Sequence, residues 1–161
     1  MWNYTETDAY NSISLHDCRT DNMQVDGDDL VVNFPDGFWI TPVSGYIDHK
    51  VPLKTGPSQL RFCGLAQVDV INSVDLFKTT YLFHKPVLCR RISMEPADFL
   101  KLINDGKHEL EFLSEFHGSY GCLYKCCLWK KNHGMEAECQ FEITAKSIEY
   151  RWDEILPDRE W

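Results

Sequence analysis

The sequence contains no apolar run approaching the ~20 residues that a helix needs to cross a bilayer, which excludes a membrane-spanning helix. Residues 1–6 contain neither a basic segment nor an apolar core, so they do not resemble a signal peptide. We therefore expect a cytoplasmic chain that does not insert into a membrane.

Familiar catalytic and cofactor-binding motifs are also missing. There is no glycine-rich phosphate loop, no nucleophile elbow and no helix with two histidines at metal-binding spacing. We therefore expect no cofactor and favour a binding function over an enzymatic one.

Positive charge is scarce, with 16 Lys and Arg against 25 Asp and Glu and a formal net charge of -9. An acidic protein repels phosphate backbones, so we expect no general binding of nucleic acid. Residues 1–36 alone carry eight acids and one base. Within them Asp21, Asp26, Asp28 and Asp29 predict a surface that binds a basic partner protein. The alternative is a solvated acidic surface that only favours solubility.

The seven cysteines are odd in number and irregularly spaced, which favours free, reduced thiols. Cys122, Cys126 and Cys127 are the densest group. On a strand Cys122 and Cys126 share a face roughly 13 Å apart, too far for one zinc ion or one disulfide. His117 and His133 flank this strand, but nothing requires them as ligands, so we predict no metal site.

A cluster at His16, Asp17 and Cys18 is a second place to look for thiol chemistry. On a strand His16 and Asp17 point to opposite faces and cannot easily pair. We therefore interpret the cluster as structural and predict no catalytic residue there.

The clearest structural signal is the turn Pro35-Asp36-Gly37 between two β-prone runs, 30–34 and 38–41. Branched and aromatic residues on both sides favour strands, so the pattern predicts a hairpin with a three-residue loop. Further strands are predicted over 13–25, 60–72, 76–83, 87–92, 109–116, 120–130, 136–144 and 148–152.

One helix is predicted over 94–105, with Ser93 as its N-cap and Phe99, Leu100 and Ile103 on its buried face. The fold class is mainly β, or α+β if the helix is counted. We expect an antiparallel β sandwich or a partly open barrel. Residues 1–161 are predicted to form one domain with a long irregular loop at 42–59 and a loose tail at 157–161.

The run Ser14-Leu15-His16-Asp17-Cys18, followed by a strand and a hairpin, resembles the opening of small β-rich bacterial proteins. This resemblance covers residues 12–40, and some of those proteins look like immunity proteins that neutralise a toxin. It implies an immunity-type protein and no catalytic role for the histidine or aspartate, and the acidic segment suggests that the protein it binds is basic. Two alternatives stay open: a β barrel that binds a small ligand, and a hydrolase or thiol enzyme without a recognisable motif. The oligomeric state is also left open.

Overall fold

The computed structural model describes residues 1–64, 71–119 and 121–161, which form fifteen β-strands and one α-helix. The first eight strands are β1 (Tyr4–Thr7), β2 (Ile13–Ser14), β3 (Cys18–Thr20), β4 (Asn22–Asp26), β5 (Asp29–Phe34), β6 (Trp39–Ile40), β7 (Leu53–Thr55) and β8 (Ser58–Cys63). The other elements are β9 (Ser73–Leu82), β10 (Lys85–Met94), α1 (Pro96–Ile103), β11 (His108–Gly118), β12 (Gly121–Lys130), β13 (Gly134–Ile143), β14 (Ser147–Trp152) and β15 (Ile155–Glu160).

These strands form three antiparallel sheets. The strand orders are β1-β14-β8-β5-β4, β10-β9-β13-β12-β11-β3 and β15-β7-β6-β2. None of the sheets closes on itself within the described residues. The prediction of a mainly-β, antiparallel fold is therefore confirmed.

Alternation of apolar and polar residues explains why each sheet has a buried face. In β8 and β14 every second side chain is buried, and β13 follows the same rhythm over most of its length. The five-stranded and six-stranded sheets meet through aromatic rings. Phe34 packs on Phe112 at 5.4 Å between ring centroids, and Phe62 packs on Tyr124 at 5.6 Å.

The predicted hairpin at Pro35-Asp36-Gly37 is wrong, although the turn itself exists. Gly37 has a φ of 76° and its N–H donates to the Phe34 carbonyl at 3.1 Å. However, β4 and β8 occupy both edges of β5, so β6 pairs with β2 and β7 in another sheet. A side chain at Gly37 would also collide with the main-chain oxygens of Thr55 and Gly56.

The single strand predicted over 13–25 is three strands, β2, β3 and β4, one in each sheet. The predicted loop 42–59 contains a short 3-10 turn at Pro42–Ser44, all of β7 and the first residues of β8. The predicted loose tail 157–161 lies mostly in β15, where Glu160 pairs with Leu53. β3 pairs with β11 and β15 pairs with β7, and because these partners are distant in sequence, local composition does not reveal them.

Two strand predictions extend beyond the described residues. The strand 60–72 corresponds in part to β8, and residues 65–70 lie outside the described residues. The strand 120–130 corresponds to β12, and Tyr120 also lies outside them.

The predicted helix is shorter than expected because it begins at Pro96, after the N-cap Glu95. Ser93 is not the cap; it belongs to β10 and its hydroxyl donates to Asp75 at 2.8 Å. At the other end, the side chain of Asn104 accepts from the Met23 N–H and donates to the Met23 carbonyl. These two bonds fix the end of α1 to β4.

The described part of the chain contains no helix that is long and apolar enough to cross a membrane. Its one helix instead packs on β4, β9 and β11. Phe99 and Ile103 are fully buried and Leu100 is half-buried, as the apolar stripe predicted.

We predict that Phe99→Ala lowers the free energy of unfolding by roughly 3–5 kcal/mol, because the truncation leaves a cavity in a closed core. The Phe99 ring is fully buried and lies 5.8 Å from the ring of Phe141. Leu100→Ala is the matched control, and its loss should be smaller because Leu100 is only half-buried. Urea titration measures both. Equal losses, or a Phe99→Ala midpoint identical to wild type, would contradict this packing.

Candidate functional site

The acidic segment predicted to bind a partner is engaged in internal ion pairs. Asp26 and Asp29 flank the β4–β5 turn, and both contact the Arg61 guanidinium, at 2.9 Å and 2.6 Å. Asp21 lies at the other end of β4 and pairs with Lys131 at 2.7 Å. Asp28 is exposed and has no ion pair or hydrogen bond within the described residues. The structure therefore brings Asp26, Asp28 and Asp29 together and leaves Asp21 apart.

Asp29 is the best-held carboxylate of this segment. It accepts from the Gly64 N–H at 2.7 Å and from Arg61 Nε at 2.7 Å. The Gly64 N–H and, after it, the Arg61 side chain hold the pKa of Asp29 below its usual value against the effect of desolvation. A basic partner at this turn would compete with Arg61.

The geometry of the cluster around Cys18 differs from the predicted strand. Asp17 has a φ of 57°, so residues 16 and 17 form a turn and His16 Nε2 lies 3.5 Å from Asp17 Oδ1. The expectation that they could not pair is wrong for that reason. Cys18 is fully buried, and burial raises the pKa of its thiol to about 12. It is therefore a poor nucleophile at neutral pH.

The three cysteines of β12 have different surroundings. Cys126 and Cys127 are buried, whereas Cys122 is half-buried near the end of β12. Cys126 lies opposite Cys139 on β13, and burial raises the pKa of both thiols. Within the described residues no group of three or more His, Cys, Asp or Glu is arranged to hold a metal ion.

Cys122 instead belongs to a chain of three polar groups. Its Sγ lies 3.2 Å from His117 Nδ1, and His117 Nε2 lies 3.1 Å from Glu115 Oε2. Register explains this geometry, because Cys122 and His117 are direct cross-strand partners in the β11–β12 pair. Glu115 is two residues before His117 and therefore lies on the same face. The arrangement of thiol, imidazole and carboxylate is the one that activates a nucleophile.

His117 and Cys122 line a cavity of about 430 Å³ between the β11–β12 end, β14 and the segment after β1, whereas Glu115 contacts His117 without lining the cavity itself. Tyr10 lines this cavity and stacks on the His117 ring at 4.2 Å. The hydrogen bond to Cys122 and then the one to Glu115 raise the pKa of His117 to about 9, although desolvation opposes them.

A second feature is the hairpin of β9 and β10, which we call the arm. Pairing of β9 with β13 ends at Phe77, opposite Glu138. Beyond that point the backbone of residues 78–90, the distal arm, pairs only with itself within the described structure, from Lys78–Arg90 to Leu82–Lys85. The distal arm is therefore a two-stranded ribbon that leaves the sheet.

The tip of the arm exposes large apolar side chains. Phe83 is 88% exposed, and Tyr81, Leu82, Val87 and Leu88 are each between 57% and 61% exposed. Phe83 and His84 form the two-residue turn with φ values of 49° and 64°. Such a turn favours Asn-Gly, and positive φ in a bulky residue is a strained backbone conformation.

The arm is basic on an acidic chain. Residues 73–94 contain four Lys or Arg and one Asp, a formal charge of +3, so the remainder carries -12. Lys78 pairs with Glu136 and Arg91 with Asp75. Lys85 and Arg90 have no ion pair within the described residues.

Sequence reasoning missed both the arm and the group of Cys122, His117 and Glu115, which we call the thiol cluster. Gly118 pairs with Gly121 at the end of the β11–β12 pair. That register brings His117 opposite Cys122, so the turn position was the signal that could have identified the pair. Both strands of the arm were predicted from the sequence. No pattern within the two strands, however, indicates that the side chains on both faces of the ribbon are exposed.

No protein-family model matches the chain, and no curated protein or solved structure is significantly similar to it. The resemblance of residues 12–40 to small bacterial proteins therefore stays an expectation. Function has to be argued from the arm, the acidic segment and the thiol cluster.

We predict that Asp29→Asn reduces stability at neutral pH and that its cost shrinks on acidification. The pKa of Asp29 is lowered by folding, so the ionised carboxylate stabilises the fold above its unfolded pKa of about 4. This contribution is lost as the pH falls through the lower, folded pKa. Thermal unfolding of wild type and variant between pH 7 and pH 3 measures the difference.

The control is Asp28→Asn, at the exposed neighbour without an internal partner. Its effect on stability should be small and nearly independent of pH. A loss in Asp29→Asn that stays constant over the whole pH range would show that the carboxylate charge is not what stabilises this turn.

Proposed function

We propose that this chain is a non-catalytic interaction protein that binds an acidic partner protein through the arm. The observation that carries the proposal is the distal arm, 78–90, whose tip exposes apolar side chains and whose backbone pairs with no further strand among the described residues. The partner covers this ribbon in the functional state.

The energetics of an isolated ribbon support this function. A two-stranded hairpin is at best marginally stable in water, because it has no hydrophobic face to bury. Distal β10 is exposed along its whole length, from Lys85 to Arg91. Burial of this ribbon against a partner would remove its apolar side chains from water and supply the missing stabilisation.

The strained tip supports the same function. A backbone outlier at an exposed loop costs about 1–3 kcal/mol and persists where function requires it. Here the strain places Phe83 at the outermost point of the arm, where an aromatic ring is an effective anchor for a partner pocket.

The positive charge of the arm favours an acidic protein as the partner. Lys85 and Arg90 flank the apolar tip without internal ion pairs in the described structure, and they favour encounter with negative charge. Nucleic acid is also negative, but the remainder of the chain, with a formal charge of -12, repels it.

A basic partner at the acidic segment is less well supported. It would have to displace Arg61 from Asp26 and Asp29, and Lys131 from Asp21. Only Asp28 is available without such an exchange among the four predicted residues. An immunity-type role remains compatible with the arm if the neutralised protein presents an acidic face.

We predict that Phe83→Gly abolishes partner binding and leaves the fold intact. Glycine adopts positive φ without strain, so the free energy of unfolding should stay the same or rise by up to about 1 kcal/mol. The matched control is His84→Gly, which relieves the neighbouring φ but keeps the Phe83 ring. Wild type and both variants are immobilised and exposed to extract from the native cells.

The expected result is one protein retained by wild type and His84→Gly, released by raised salt, and absent with Phe83→Gly. Crosslinks from Lys85 should map to an acidic face of that protein. Retention by Phe83→Gly, crosslinks to a basic face, or retention that depends on Asp28 instead would contradict the arm as the binding element. Recovery of nucleic acid in place of a protein would contradict the proposed partner.

A further inference from the structure

We propose that Cys122, His117 and Glu115 form an acyl-accepting thiol site for small carboxylic esters or thioesters that enter the adjacent cavity. This site is separate from the arm and goes beyond the binding function. It rests on three observations: the hydrogen-bonded order of the three groups, the cavity beside them, and the contrast with the other thiols of the chain.

The hydrogen-bonded order assigns a role to each group. Glu115 Oε2 accepts from His117 Nε2–H, which leaves Nδ1 directed at Cys122 Sγ at 3.2 Å. When the thiol proton moves to Nδ1, the resulting thiolate and imidazolium attract each other. Cys122 is then the nucleophile, His117 the proton donor, and Glu115 a positioning residue.

The surroundings hold the imidazole in place. Tyr10 stacks on one face of the His117 ring, and Tyr124 meets it edge-on at 6.3 Å between ring centroids. Asp8 and Lys146 are the other charged groups that line the cavity. Because the main chains of His117 and Cys122 are paired in a sheet, their separation cannot drift as it would on a loop.

The chemical step is an acyl transfer in which all atoms and electrons are accounted for. The Cys122 thiolate adds to the substrate carbonyl carbon, and the carbonyl electron pair moves to oxygen. Collapse of this intermediate breaks the bond to the leaving oxygen or sulfur, which takes the proton from His117 Nδ1. The products are a thioester on Cys122 and a free alcohol or thiol, and no oxidant or reductant is needed.

The cavity is suited to a small acyl donor. Its volume of about 430 Å³ is within the range of small-molecule sites, and its walls combine Ser147 and Lys146 with Phe62 and Ile148. A short acyl chain can contact the apolar walls while its carbonyl lies near Cys122.

In the described structure the other cysteines lack the accessible, histidine-paired setting of Cys122. Cys18, Cys126 and Cys139 are buried, and burial raises the pKa of each thiol. Cys89 on β10 is exposed, and no hydrogen bond to a histidine or carboxylate is present for it in the described structure. Cys89 is therefore an unactivated reference thiol within the same molecule.

The test uses 4-nitrophenyl acetate as the probe on the full chain at pH 7. Acetylation of each cysteine is followed in time by peptide mass spectrometry, together with release of 4-nitrophenolate. We expect Cys122 to be acetylated at least about a hundredfold faster than Cys89, the lower end of what an activating base supplies. In His117→Gln the rate at Cys122 should fall to that of Cys89, while Cys89 is unchanged.

Glu115→Gln tests the positioning role through a signal that packing alone would not change. The imidazole resonances of His117 should titrate at a lower pH in this variant than in wild type, because Glu115 contributes to the raised pKa. Comparable acetylation of Cys122 and Cys89 in wild type would overturn the proposal. So would a Cys122 rate that survives His117→Gln, or a His117 titration that Glu115→Gln leaves unchanged.

Discussion

The architecture depends on the aromatic contacts around Tyr124, which join the two larger sheets. The Tyr124 ring is fully buried and stacks on Phe141 at 5.1 Å between ring centroids, and Phe112 meets it edge-on at 5.5 Å. Across the interface it meets Phe62 of the five-stranded sheet. These rings come from β8, β11, β12 and β13, so a single cluster fixes the centre of both sheets. Aromatic pairs of this kind add stabilisation beyond their buried area.

Both candidate sites are extensions of this central layer. The β11–β12 pair continues past Tyr124 to Cys122 and His117, and its regular register sets their separation. β13 pairs with β9 only as far as Phe77, and beyond it the arm has no further strand partner among the described residues. The packed core therefore holds the thiol cluster rigidly, whereas it leaves the distal arm without support. The thiol cluster is therefore suited to chemistry between groups at a fixed distance, and the distal arm is suited to contact with another molecule.

The sequence predicts the local structure here better than the pairing of strands. Alternation correctly predicts strands such as β13 and β14, and the stripe of Phe99 and Ile103 correctly predicts α1. Pro35 to Gly37 predicts a turn but not that the next strand joins another sheet, since that choice depends on β8, far along the chain. Strand pairing is set by long-range packing, which the alternation of a single segment does not encode.

The candidate sites were hidden for the same reason. The four aspartates were visible in the sequence, but the ion pairs that Asp21, Asp26 and Asp29 form with Lys131 and Arg61 require the folded sheets. His117 and Cys122 were each noticed as single residues, and only the register of β11 and β12 makes them a pair. The exposed arm has the composition of ordinary strands, so its lack of a covering layer could be seen only in three dimensions.

Hydrogen exchange along the arm in the dilute, isolated chain tests the central claim that the distal arm lacks internal support. Local stability follows packing, so the hydrogen-bonded amides of residues 78–82 and 85–90 should exchange at least about tenfold faster than those of residues 74–77. The amides of β12 should be the slowest of the three groups. Protection of the distal arm equal to that of β12 would show that the ribbon is stable by itself, and this would contradict the account.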